Sequence, residues 1–177
     1  TYGTVDINKK LTLVGSAAFD PEVSNESRPT VSSLVFSAST TTNGSVITGF
    51  NVGYISNNGY NADNIGIYNN YFSGSSYSIY FYYGSCSNWI IEGNVFQNTA
   101  GMYVFWNYAN AATLNNILVK NNYIEQLTYY YTIFQNLNSA FTFRNNVFVV
   151  KSNFGYYQFD ACSNVLFENN IFWMVTS

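Results

Sequence analysis

"NIGIYNNYF" (residues 64–72), "AFTFRNNVF" (140–148) and "NVLFENNIF" (164–172) are versions of one phrase. Aligned on the second asparagine of the pair, five copies bring Asn70, Asn94, Asn122, Asn146 and Asn170 into one column, at intervals of 24, 28, 24 and 24 residues. A degenerate copy, "VITGFNV" (46–52), puts Phe50 in that column, 20 residues before Asn70. A period in the twenties signals a solenoid, whose repeats bury their apolar faces by stacking on their neighbours.

Two flanking columns are apolar throughout: Ile47, Ile67, Ile91, Val119, Phe143, Phe167, and Val52, Phe72, Phe96, Ile124, Phe148, Phe172. Residues before the asparagine pair alternate apolar and variable, a period of two that reads as a strand, and no 3.6-residue period competes with it. Each repeat also carries an aromatic-rich run suited to a pleated sheet: "YSIYFYY" (77–83), "MYVFWNY" (102–108), "YYYTIFQ" (129–135) and "FGYYQF" (154–159). The pattern predicts an all-β chain, a right-handed parallel β-helix of six or seven coils stacked at ~4.8 Å. Residues 1–177 form a single domain, with a loop insertion after the first coil at 16–33, where both prolines lie.

The asparagine pair has a mechanical reading. The chain must bend sharply between two faces, and asparagine tolerates the left-handed backbone such a bend needs. Gly93 stands in the first position of one pair, which fits a requirement for positive φ. The second asparagine is expected to point inward and bond to its counterpart in the next coil, making a structural ladder of Asn70, Asn94, Asn122, Asn146 and Asn170.

The repeated "NI-x-I-x-NN-x-F" resembles the right-handed parallel β-helix of the pectate-lyase superfamily. The opening "GTVDINKKLTLVGS" resembles the first coil of secreted Bacteroidetes β-helix repeat proteins. That resemblance implies an extracellular or cell-surface location, and a fold that hosts lyases, hydrolases, adhesins and structural rods alike.

Composition narrows the field. Only 8% of residues are charged, the net charge is −3, and no basic cluster exists, which argues against nucleic acid. No apolar run is long enough for a membrane span. Histidine, the commonest general base and metal ligand, is absent from the sequence. Glycoside cleavage needs two carboxylates about 5–10 Å apart, and calcium needs several converging oxygens. The repeat register brings no two acids together. The column before the asparagine pair reads Tyr68, Glu92, Lys120, Arg144, Glu168, which suggests exposed ion pairs between neighbouring coils. Asp63 and Asp160 fall in turns of different coils, and the acids Asp20, Glu22 and Glu26 fall in the insertion. No catalytic residue, metal site or cofactor is therefore assigned.

Aromatics supply the candidate surface. They exceed what one inner face holds, so some must point outward; Tyr80, Tyr82, Trp106, Tyr130 and Tyr156 are the candidate contacts. The reading is a non-catalytic rod, structural or adhesive, with polysaccharide and self-association, head-to-tail or lateral, as partners. A polysaccharide-binding, lyase or hydrolase β-helix is the alternative. Cys86 and Cys162 fall in one column three coils apart, about 14 Å at the strand spacing. A disulfide needs Cα atoms within about 7 Å, so two free thiols, packed in the turn, are expected.

Overall fold

A computed structural model describes residues 2–18, 28–73, 76–98, 103–126, 131–137, 141–151 and 156–175. These residues form a parallel β-solenoid; strands are numbered in chain order. One face is a sheet of β2 (Thr12–Val14), β4 (Val46–Thr48), β7 (Gly66–Tyr68), β10 (Ser85–Glu92), β13 (Thr113–Lys120), β16 (Phe141–Arg144) and β19 (Leu166–Glu168). The short β6 (Ala62–Asp63) also pairs with β10. The second face stacks β8 (Tyr71–Ser73), β11 (Val95–Asn98), β14 (Tyr123–Gln126), β17 (Val147–Val150) and β20 (Ile171–Met174). The third stacks β9 (Tyr77–Phe81), β12 (Tyr103–Asn107), β15 (Tyr131–Gln135) and β18 (Tyr156–Asp160). Near the start, β1 (Tyr2–Ile7), β3 (Thr30–Phe36) and β5 (Asn51–Ser56) pair in turn, and β5 joins both the second and third faces.

About five turns are present, fewer than the six or seven the spacing suggests. Within the stretch 16–33, residues 19–27 lie outside the described residues, and β3 begins at Thr30.

Register follows the repeat. Leu13, Ile47, Ile67, Ile91, Val119, Phe143 and Phe167 align across the first sheet. Val52, Phe72, Phe96, Ile124, Phe148 and Phe172 align across the second. Where phenylalanines are successive, their rings stack nearly flat, as in Phe72–Phe96 (4.7 Å, 10°) and Phe148–Phe172 (4.6 Å, 8°). On the last coil Phe172 is 59% exposed, whereas Phe72, Phe96, Ile124 and Phe148 in the same column are fully buried.

Each bend between the first and second faces has a residue at positive φ: Gly49, Asn69, Gly93, Asn121, Asn145 and Asn169, with φ between 51° and 80°. A side chain rarely adopts this conformation unless it is asparagine or glycine is present. The following asparagine lies inside. The Asn94 N–H donates to Asn122 Oδ1 (2.8 Å), and its Nδ2 donates to the same oxygen (3.1 Å) and to Ile67 O (2.9 Å). Asn70, Asn122 and Asn146 repeat this pattern with their neighbours, and Asn170 receives the last rung. These amides thus satisfy buried backbone groups that water cannot reach.

Asn57 lies outside the repeated phrase. It is fully buried, donating to Tyr60 O and Tyr83 O and accepting from the Tyr82 N–H.

Candidate functional site

The aromatic run of each repeat forms the third face, and its outer surface carries a slab of rings. On both β9 and β12 two half-exposed aromatics are separated by two buried residues, Ser78–Ile79 and Val104–Phe105. This departs from strict alternation, and the register between β12 and β15 shifts between Tyr103 and Phe105. Side chains three apart are thereby brought into contact: Tyr77–Tyr80 at 4.5 Å and Tyr103–Trp106 at 4.6 Å between ring centroids. The two pairs meet across the strands, with Tyr80–Trp106 at 4.9 Å. Tyr54 extends the slab on one side, 4.9 Å from Tyr77.

The single 28-residue interval also contributes. Phe72 to Phe96 is 24 residues, Ile79 to Phe105 is 26 and Cys86 to Leu114 is 28, as the aligned pairs show. Two extra residues therefore precede β12 and two follow its alignment point, at the Tyr108–Asn110 turn. That turn sets Tyr108 5.4 Å from both Tyr82 and Trp106. Tyr83 closes the rim, 4.5 Å from Tyr82 and 48% exposed.

Of the five candidate aromatics, Tyr80, Tyr82 and Trp106 sit in this slab. Tyr130 lies outside the described residues. Tyr156 starts β18, paired with Tyr131, but its side chain lies outside the described set. Tyr54 and Tyr103 were not singled out by the sequence, because a period-two reading does not anticipate the shifted pairing.

Burial, reinforced by the surrounding Tyr77, Tyr82, Tyr108 and Tyr83, pushes the Tyr80 hydroxyl up to about 12. Burial and Tyr54 likewise raise Tyr77. The column through Tyr80 runs Ser56, Tyr80, Trp106, Gln135, Asp160 on successive strands. Gln135 Nε2 donates to Asp160 Oδ2 at 2.5 Å. Rings therefore give way to an amide and a carboxylate along one line.

The carboxylates are dispersed. Glu92 pairs with Lys120 at 3.1 Å and Glu168 with Arg144 at 2.6 Å, on the outer surface of the first sheet. Asp63 lies on β6, not in a turn, and accepts the Ser87 N–H. Glu125 was not expected to stand out, yet it is 3% exposed on β14. Gln97 Nε2 donates to one of its oxygens (3.0 Å), Lys151 ion-pairs with the other, and Tyr71 contacts Gln97 in turn. Among the described residues no three acidic or cysteine side chains converge to hold a metal ion. Asp20, Glu22 and Glu26 lie outside the described residues.

Both cysteines are free. Cys86 is fully buried on β10, between Ala62 and Leu114, rather than in the turn the sequence suggests. Cys162 follows β18, is half-buried and donates to Phe134 O at 3.2 Å.

No helix among the described residues is long and apolar enough to cross a membrane. Comparison with known protein families, characterised proteins and solved structures finds no match. The chain is identified by its architecture alone: a parallel β-solenoid with spacing of about 24 residues per coil.

Proposed function

We propose that this protein is a non-catalytic extracellular or cell-surface β-helix rod that adheres to polysaccharide through the outer aromatic slab of its third face. The carrying observation is the contiguous, partly exposed group of Tyr54, Tyr77, Tyr80, Tyr82, Tyr83, Tyr103, Trp106 and Tyr108 on a rigid sheet. Amphipathic rings with few rotatable bonds lose little entropy on contact, and clustered surface aromatics mark binding faces. A sugar ring offers an apolar C–H face to such a slab and hydroxyls to its phenols.

The acids support the non-catalytic part. Glu92, Glu125 and Glu168 are each engaged by a cation, and Asp160 by an amide. A two-carboxylate hydrolysis needs one group free to hold a proton and another facing it across the scissile bond.

Native electrophoresis through gels containing soluble polysaccharides tests the reading, alongside release of reducing ends from the same polymers. Retardation without release is expected. Release of reducing ends, lost on replacing Glu125 or Asp160, would replace the rod with an enzyme.

A further inference from the structure

Resting on that polysaccharide-binding reading, we infer that the slab selects neutral, β-linked polysaccharides over polyuronates and sulfated glycans, and that the glycan lies along the rod axis.

All six cationic side chains of the sequence belong to described residues. Lys9 and Lys10 lie between β1 and β2, and Lys10 Nζ approaches Gly44. Arg28 is buried and donates to Asn69 O at the bend between the first two faces. Lys120 and Arg144 are paired on the first sheet, and Lys151 is paired with Glu125 beyond the second. None stands on β9, β12, β15 or β18. A carboxylated or sulfated chain on the slab would find no counter-charge there, and would meet Asp160 at the end of the column. The phenols add no positive potential, and burial pushes the Tyr80 hydroxyl up to about 12.

Axial orientation follows from the rungs. Ser56, Tyr80, Trp106, Gln135 and Asp160 occupy consecutive strands, each ~4.8 Å from the next. That step is close to the advance of one pyranose unit in an extended chain. Successive sugars would meet rings at Tyr80 and Trp106, then the hydrogen-bonding pair Gln135 and Asp160. Stacking wants a ring whose hydroxyls are equatorial, leaving flat C–H faces, and β-linkage keeps such rings in a ribbon. Along the strands, by contrast, the slab ends at the rim formed by Tyr83 and Tyr108.

The test is affinity electrophoresis of the full chain against mixed-linkage β-glucan, xyloglucan and galactomannan, with polygalacturonate and alginate as acidic probes. At least one neutral β-linked polymer is expected to retard the protein, and neither acidic polymer to do so. Trp106→Ala should weaken the neutral binding about tenfold or more, with Trp106→Phe retaining most of it. An unchanged circular-dichroism spectrum and melting point guard against unfolding. Asp160→Lys should gain affinity for polygalacturonate if this column contacts the glycan. Retardation by acidic polymers that Trp106→Ala abolishes would overturn the neutral preference while leaving the adhesive slab intact. Neutral binding indifferent to both Trp106→Ala and Asp160→Lys would overturn the axial site. No retardation by any polymer would remove the polysaccharide reading itself.

Discussion

Asn146→Ala is the sharpest test of what holds the coils in register. The Asn146 side chain is fully buried. Its Oδ1 accepts the Asn122 N–H at 2.9 Å and Asn122 Nδ2 at 3.0 Å. Its Nδ2 donates to Val119 O at 2.9 Å and Asn170 Oδ1 at 3.0 Å. Alanine removes all four bonds, strands the Asn122 N–H away from water and takes one donor from Val119 O. An orphaned buried group costs about 1–3 kcal/mol, and each further lost bond about 0.5–1.5. Partial relaxation brings the expected loss to about 2–5 kcal/mol, a fall in melting temperature of roughly 5–15 °C for a chain of this size. Asn115→Ala, at an exposed position of β13, should lie within about 0.5 kcal/mol of wild type. Asn170→Ala, at the half-exposed last rung, should fall between them. Urea unfolding with a common m-value compares the three. Equal midpoints for Asn146→Ala and Asn115→Ala would refute the ladder as a source of stability.

Other outcomes follow from charges, thiols and phenols. Arg144→Glu should cost about 1 kcal/mol or less by urea unfolding, because the pair with Glu168 is more than a third exposed and screened; a loss several times larger would mean the guanidinium supports the core. Lys151→Ala leaves the Glu125 carboxylate buried without its cation, and should destabilise more than Arg144→Glu. Adding Glu125→Gln should recover much of that loss, and no recovery would deny the coupling. Timed alkylation read by mass spectrometry should label Cys162 first and Cys86 only on unfolding, since Cys86 is fully buried and burial raises its thiol pKa; an unreduced chain lacking two reactive thiols in denaturant would contradict the coil register. Stability should hold nearly constant from about pH 5 to 9, as no histidine titrates. Above pH 10 it should fall, because the unfolded chain releases its phenolic protons near 10 while folded Tyr80 keeps its proton until about 12. A melting temperature that rises between pH 10 and 12 would reverse that sign.

Columns were readable before any coordinates because a parallel stack puts equivalent residues directly above one another. Ile67, Ile91 and Val119 align by counting, and Asn69 and Gly93 announce their bend by sharing the one conformation other residues avoid. The paired register of Glu92 with Lys120 followed from the same count. What escaped was whatever depends on departures from period two. Tyr77 and Tyr103 reach the slab through the shifted stretch of the third face, and Tyr54 joins them only because β5 borders both faces. Burial of Glu125 depends on neighbours from three coils, Gln97, Tyr123 and Lys151, none of which marks it in the linear text. Asn57 carries no signal in the linear text, because Phe81 follows it in its column and its buried counterpart Asn107 recurs only two coils on.

Asn70, Asn94, Asn122 and Asn146 each give to the coil ahead and receive from the coil behind, so further coils would close the same pattern. Coil number is then a tally kept in the gene: duplicating residues 121–144, one period from Asn121 to Arg144, would add a rung of ~4.8 Å and leave its neighbours in step. The aromatic slab, by contrast, is written mainly into two coils. Coil number and the aromatic surface can therefore drift apart under recombination, one growing by unequal crossing-over while the other stays fixed.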